Sequence, residues 1–423
     1  MDKILQIWKV PDLRKKILFV LFWLLVFRLL AAIPIPGIDA VRLNEFFSSN
    51  QLFGFLNIFS GGGLSNLSVV MLGVGPYITA VIIMQLLTII FPQLKKAYYE
   101  EGAEGRAKFN RYSRWLTVPL AVLQAYGFLN LLASRQVLPS LSTEGLLANV
   151  AVITAGSVFL MWIGEVISEY KIGNGVSLLI FAGIVSGLPQ FVASSVLSYT
   201  PAVLPTYIAF TILSVVVIAA VVFVNEGERK IPVSYAKQVR GNRMYGGVAT
   251  YLPLKVNQAG VIPIIFAISI LLFPQFIAQA ATVFSPDLAL KLNEIVTKIF
   301  NNLIIYSVIY FLLVVVFTYF YTAITFDPAE ISKNLQRSGG FIPGIRPGEA
   351  TAEAISQVVR RTTIFGALFL GFIAVLPNLT QLVTGIRTLT IGGTALLIVV
   401  AVALEVMKQI ESQLTVREYE GIL

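Results

Sequence analysis

FGFLNIFSGGGLSNLSVVMLGVGPYITAVIIMQLLTIIF, residues 53–91, is the stretch that decides the fold. Its second part, 69–91, is 23 residues without a formal charge. At roughly 1.5 Å per residue it reaches across a hydrocarbon core of about 30 Å with some tilt. The first part, 52–64, is apolar but too short to cross, and Gly61, Gly62 and Gly63 break it from the span after it. Lipid offers no partners for open N–H and C=O groups, so non-helical backbone at membrane depth survives only inside protein or beside a water-filled cavity. The segment reads as a half-helix folded back into a cavity; an apolar loop lying at the interface is the alternative.

The rest of the chain is suited to the same solvent. Of 423 residues 57% are hydrophobic and only 13% charged, with a mean hydropathy of +0.81, against about a quarter charged in soluble domains. The fold class is therefore an all-α polytopic membrane protein. There is neither cysteine nor histidine, which removes disulfides, Cys/His zinc sites, Ser/His and Cys/His catalytic pairs and the usual haem ligands. No cofactor is expected, and the chain does not read as an enzyme. A net charge of +9 and a pI near 9.5 matter through where the charges sit relative to the membrane.

Ten apolar runs of spanning length succeed one another: 17–33, 69–91, 115–133, 147–167, 176–197, 203–224, 259–281, 303–325, 362–383 and 388–407. The first could be a cleaved signal peptide, but Arg28 inside it favours an uncleaved span. With the N-terminus inside, 25 of the 31 Lys and Arg fall on cytoplasmic segments; the outer loops hold only Arg42, Arg135, Lys291, Lys298 and Arg387. The positive-inside rule thus places both termini in the cytoplasm, and one missed span would reverse every later loop.

Ten spans divide into two sets of five at the Pro-bearing connection SYTPAVLP, giving halves 1–200 and 201–423. Five is odd, so halves that share a fold are inverted relative to one another, and an interrupted span is the best pointer to a working site between them. Two cytoplasmic segments, 225–256 and 326–361, are long enough to have work of their own. In the first, alternating runs flank Gly241-Asn242, which predicts a β-hairpin with Arg240 and Arg243 at its tip. The second predicts a helix after Asp327-Pro328, then a tight turn SGGFIPGIRPGE holding Arg346 at its centre, then a further helix.

Chemistry motifs are sparse. There is no Walker sequence, and GGGLSN lacks the lysine a phosphate loop uses. The ionisable residues within the spans are Arg28, Glu165 and Glu405. Such scarcity disfavours a proton- or ion-coupled transporter, although backbone carbonyls at broken helices could bind Na+. Val74 and Ile78, and likewise Val176 and Ile180, lie four apart on one helix face, a spacing common in any membrane helix.

The ordered motifs IPIPG (33–37), FSGGGLSNLS (59–68), GPYITAVIIMQLL (75–87), EGAEGR (101–106), EYKIGNGVSLLIFAGIV (169–185), ERKIPVSYAK (228–237), LPLKVNQAGVIP (252–263), GGFIPGIRPGEAT (339–351) and GGTALLIVV (392–400) resemble the SecY/Sec61 alpha family of protein-conducting channel subunits. The resemblance covers nearly the whole chain. It implies ten transmembrane helices in two inverted five-helix halves, with a re-entrant plug half-helix sealing an hourglass pore. Carried over residue by residue, the pore ring falls on Val74, Ile78, Val176, Ile180, Ile265 and Ile398. The plug falls at about 57–67, comprising Asn57, Phe59, Ser60, Gly61, Gly62, Gly63, Leu64, Asn66 and Leu67. Gly63 and Asn66 stand where many relatives carry Ala and Arg, which implies an uncharged plug and a weaker helix, since Gly costs about 1 kcal/mol against Ala.

The resemblance further implies a lateral exit between spans 2/3 and 7/8, for which Gln85 and Gln124 are candidates beside the alternative of ordinary interhelical hydrogen bonding. Arg240, Arg243 and Arg346 become candidate contacts for cytosolic partners. Implied partners are SecE and SecG in the membrane, the SecA ATPase or a ribosome on the cytosolic loops, signal peptides and unfolded polypeptides as substrates, and membrane lipid. The function expected is translocation of unfolded polypeptide across the bacterial plasma (inner) membrane, and lateral release of transmembrane segments into it. An inverted-repeat secondary transporter of a small solute is the runner-up.

Overall fold

The computed structural model describes residues 10–35, 60, 62–64, 66–99, 101–134, 138, 142–197, 201, 204–235, 238–240, 243–245, 249–284, 286–384 and 392–420. Along the chain run α1 (Pro11–Ala31), α2 (Gly75–Ile90), α3 (Pro92–Tyr99), α4 (Gly102–Ser134), α5 (Thr143–Glu169), α6 (Gly175–Leu197) and α7 (Leu204–Glu226). Four strands come next: β1 (Glu228–Tyr235), β2 (Gln238–Arg240), β3 (Arg243–Tyr245) and β4 (Ala249–Lys255). The chain continues through α8 (Ile262–Phe284), α9 (Pro286–Asn301), α10 (Leu303–Thr325), α11 (Pro328–Arg337), β5 (Gly340–Phe341), α12 (Glu349–Thr384) and α13 (Gly392–Glu420).

A helix stands at each of the ten predicted spans. Among the described residues, by length and composition alone, five stretches, in α4, α5, α7, α10 running on into α11, and α12, are apolar enough to cross a membrane, or six if α2 and α3 form one bent span. Helices α6 and α8 hold shorter apolar stretches, Gly175–Pro189 and Ile262–Gln275. Charge enters both terminal helices, through Arg28 in α1 and through Glu405 and Lys408 in α13. Span 2 and the helix after it differ most from expectation: the axis turns by 113° between Gly75–Thr88 and Pro92–Tyr98. Pro92 carries no N–H and pushes the residue before it out of the helical region, and Phe91 is extended (φ −107°, ψ 106°). The other unforeseen helix is α9, where an outer loop is expected; one of its faces carries Lys298, paired with Glu294 at 2.8 Å.

Helix starts obey local chemistry. Ser142 Oγ accepts from Gly145 N at 3.2 Å, and Asp327 Oδ1 accepts from Ala329 N at 2.8 Å and Glu330 N at 3.3 Å, so α5 and α11 have side-chain caps. Proline occupies the first turn of α1, α2 and α11, where its missing N–H costs nothing.

Packing divides the chain into two compact units, residues 1–207, 268–306 and 398–423, and residues 208–267 and 307–397. In the first, α2 packs on α4 and α5, and α1 on α5 and α6. Lys16 Nζ donates to Gln413 Oε1 at 3.4 Å, tying α13 to α1. In the second, α11 packs on α12 beside a sheet of order β4-β1-β5. Seven consecutive pairs join β1 to β4, from Glu228 opposite Lys255 to Ser234 opposite Ala249. These units are not a cut at residue 200, because a packing unit need not coincide with a topological repeat.

Candidate functional site

Of the plug positions, Asn57, Phe59 and Gly61 lie outside the described residues; Ser60, Gly62, Gly63, Leu64, Asn66 and Leu67 lie within them. The expected half-helix is not regular there. The described residues between 60 and 74 form turns, with Gly62 at φ +79° and Leu67 at φ +41°, a left-handed conformation that no helix continues through. The backbone groups freed by this course find partners nearby. Leu64 N donates to Ser60 Oγ at 2.9 Å and Ser68 N to Gly63 O at 2.7 Å. Ile35 N donates to Leu67 O at 2.9 Å, and Val69 N to Ile33 O at 3.0 Å. The IPIPG motif thus pairs edge to edge with 67–69 across the Pro34–Ser68 bridge, using the donor and acceptor of the isoleucines on either side of a proline that can donate nothing. Leu64, Leu67 and Met71 are buried among Ala125, Phe128, Leu129 and Leu132 of α4 and Val150 and Ile153 of α5.

Arg28, the one cation within span 1, comes to this segment: its Nη1 lies 3.4 Å from where a Cβ on Gly62 would stand. Charge is therefore brought to the plug region from α1 although the described plug residues carry none.

Val74 and Ile78 sit at the start of α2, where Ile78 N donates to Val74 O at 3.0 Å, and both are buried. Val176 and Ile180 sit in the first two turns of α6. Asn174 Oδ1 caps this helix, accepting from Val176 N at 3.1 Å and Ser177 N at 3.2 Å. Ile180 has no exposed surface, whereas Val176 is half-buried, its Cγ2 3.2 Å from where a Cβ on Gly164 would stand. Gly175 is required by close approach, since a Cβ there would fall 1.9 Å from Gly164 O on α5. Ile398, buried on α13, belongs with these four to the first unit; Ile265, buried at the start of α8, belongs to the second.

Gln85 on α2 and Gln124 on α4 are both buried. Gln85 Oε1 has no hydrogen-bond partner among the described residues. Glu165 is engaged in the protein: Arg114 Nε on α4 donates to its Oε1 on α5 at 2.6 Å, so this carboxylate is held as an ion pair between two spans.

The two long segments 225–256 and 326–361 prove to be one folded body. The predicted hairpin is present, with Arg240 opposite Arg243 as its last pair; the Gly241-Asn242 turn itself lies outside the described residues. The second segment enters the same structure, because Ser234 and Tyr235 of β1 pair with Phe341 and Gly340 of β5. Beneath the sheet, Val233, Leu254, Leu335, Ile342, Ile355 and Val359 form an apolar core drawn from both segments. On it rests the turn that carries Arg346. Thr351 Oγ1 donates to Arg346 O at 2.9 Å, and Ser332 Oγ to Gly348 O at 2.6 Å. Ile345 N donates to Ile342 O at 3.1 Å, and Gly344 and Gly348 take φ of +84° and +105°. The backbone of Arg346 is fixed on both sides while the residue itself is exposed. Ser332 and Thr351, missed in the sequence, are polar residues of ordinary helix patterning until the turn folds against them.

The profile of the SecY family matches residues 68–407. A protein translocase subunit SecY from Streptomyces galbus is 44% identical over 436 residues, covering 98% of this chain and 98% of its own length. Among solved structures, one described as a protein-conducting channel superposes with a TM-score of 0.65 at 21% identity, covering 93% of this chain and 90% of that one. Sec61 in a canine ribosome-channel complex from the endoplasmic reticulum gives a TM-score of 0.62 at 20% identity, with 93% and 90% covered. Both structures share the fold of this chain, an all-α membrane-spanning channel fold. The extent and level of identity, from the re-entrant segment to the last span, show that the chain belongs to the SecY family of protein translocase subunits.

Proposed function

We propose that this channel subunit is a passive, gated conduit in the bacterial plasma membrane, with both termini cytoplasmic and inverted halves 1–200 and 201–423. It would pass unfolded polypeptide through a constriction of Val74, Ile78, Val176, Ile180, Ile265 and Ile398. A plug at 57–67 closes the constriction, and the seam near Gln85 and Gln124 releases apolar segments sideways into lipid. SecE and SecG are its proposed membrane partners. SecA or a ribosome docks on the cytosolic platform through Arg240, Arg243 and Arg346, and signal peptides open the seam.

The observation that carries this reading is the interrupted second span. A run of turns, largely buried and with its backbone hydrogen bonds met by a side chain and the IPIPG edge, precedes a helix that begins only at Gly75. Irregular backbone of this kind belongs beside a cavity in a membrane protein. An aliphatic constriction would exclude ions because a dehydrated ion gains no ligands there, while branched side chains can give way around a passing chain.

Single-channel recording of the reconstituted complex tests the reading. Ile398→Asn should wet the constriction and leak ions at rest, and removal of 57–67 as well should increase the leak. Resting conductance equal to wild type in both variants, with insertion confirmed, would place the seal elsewhere.

A further inference from the structure

Helix α5 meets the root of the plug at a glycine. A Cβ placed on Gly156 would fall 2.2 Å from the carbonyl oxygen of Val69 and 3.3 Å from Val70 Cγ1. The first distance is well inside van der Waals contact with backbone, which cannot rotate away as a side chain can. The closeness is passed on toward the plug. A Cβ on Gly63 would come 2.8 Å from Ser68 Oγ, 3.0 Å from Ser60 O and 3.2 Å from Val70 O. Two side-chain vacancies, one on the wall and one in the plug, therefore allow a single tight stack of Gly156, Val69–Val70 and Gly63.

One hydroxyl faces this stack, that of Ser68 beside Gly63. Ser68 Oγ is buried without a hydrogen-bond partner among the described residues. Elsewhere in the chain buried helical hydroxyls turn back onto the carbonyl four residues earlier, as Ser113, Thr117, Thr318 and Thr322 do. A buried hydroxyl without a partner disfavours the state that buries it. Burial of Leu64, Leu67 and Met71 favours the same state. Close packing and apolar burial hold the segment in place, and the Ser68 hydroxyl opposes them.

We propose that Gly156 is the seat of the plug, a positioning residue whose missing side chain lets the plug root lie on α5, and that Ser68 keeps this seat shallow so that the plug can leave it. The proposal rests on the plug reading above. It assigns opposite signs to two substitutions: Gly156→Ala fills the seat and displaces the plug, whereas Ser68→Ala removes a cost of the seated state and retains it.

The chain contains no cysteine, so a Leu64→Cys reporter is its sole thiol. The assay is the labelling rate of that thiol by a water-soluble maleimide, in the complete channel complex in proteoliposomes, with resting conductance measured alongside. Gly156→Ala should raise the rate at least tenfold, raise resting conductance and admit a precursor with a defective signal sequence, a gain that misfolding does not produce. Ser68→Ala should lower the labelling rate about fivefold, the scale expected for one relieved hydroxyl. A rate within twofold of the reporter alone for Gly156→Ala, or a raised rate for Ser68→Ala, overturns the seat. Deletion of 57–67 separates the two ideas. If that deletion leaks while Gly156→Ala does not, the seat is wrong and the plug stands; if the deletion leaves resting conductance unchanged, the plug reading fails and the seat with it.

Discussion

Removing the two hydroxyls that hold the Arg346 turn should weaken docking without touching the arginine. Ser332→Ala and Thr351→Val delete the donors to Gly348 O and Arg346 O, at 2.6 and 2.9 Å, and Thr351→Val does so with almost no change of shape. Ser332 and Thr351 are 3% and 2% exposed, so water cannot readily replace the lost donors. Each such hydrogen bond contributes about 0.5–1.5 kcal/mol net. The pair sums to about 2 kcal/mol, or roughly 30-fold in the equilibrium between the ordered turn and its opened forms. Amide hydrogen exchange over 342–348 should accelerate by up to about that factor. Affinity for SecA or ribosomes should fall about tenfold, because the docking partner must then order the turn itself. The sheet and its core should persist, since the packing of Val233, Leu254 and Ile355 is unaltered. Unchanged exchange and unchanged affinity in the double variant would refute the view that Arg346 acts from a preset position. Faster exchange with full affinity would show that docking does not depend on the turn.

Arg346→Glu should abolish translocation while assembly with the membrane partners persists, because a carboxylate there repels both acidic side chains and rRNA phosphates; wild-type secretion would exclude the docking role. Cutting the hairpin near Gly241 should block motor binding while seven β1–β4 pairs hold the cut ends together, and unchanged affinity after complete cleavage would make the hairpin a mere connection. Ile355→Ala, at a fully buried position in the core shared by both long segments, should destabilise that body by about 2–5 kcal/mol and expose 225–256 and 326–361 to protease together; independent cleavage of one segment would contradict a common core.

How much of this could be read from the sequence depends on the range of the interaction. Hydropathy is a property of each window, and the ten spans and their helices agree. The Gly-Asn turn and the Pro/Gly frame around Arg346 are equally local, and the paired strands and the fixed turn are both present. The pairing of β1 with β5 is another matter: β5 is two residues long and about a hundred residues away, too short to leave a period-2 pattern. The plug shows the same limit from the other side. Its glycines signalled irregular backbone correctly, but a half-helix and a run of turns share that signal, and the left-handed Leu67 that decides between them carries no mark in its identity. Gly63 was legible only as a cost to helix formation; in three dimensions it is a space that Ser68 and Val70 fill. The same holds for Gly156, an ordinary glycine in an apolar run, because the backbone it admits is nearly ninety residues earlier in the chain. A glycine's own identity says only that a side chain is missing; whether another segment fills the room, as Val69 does at Gly156 and Gly164 does at Gly175, is decided by the fold.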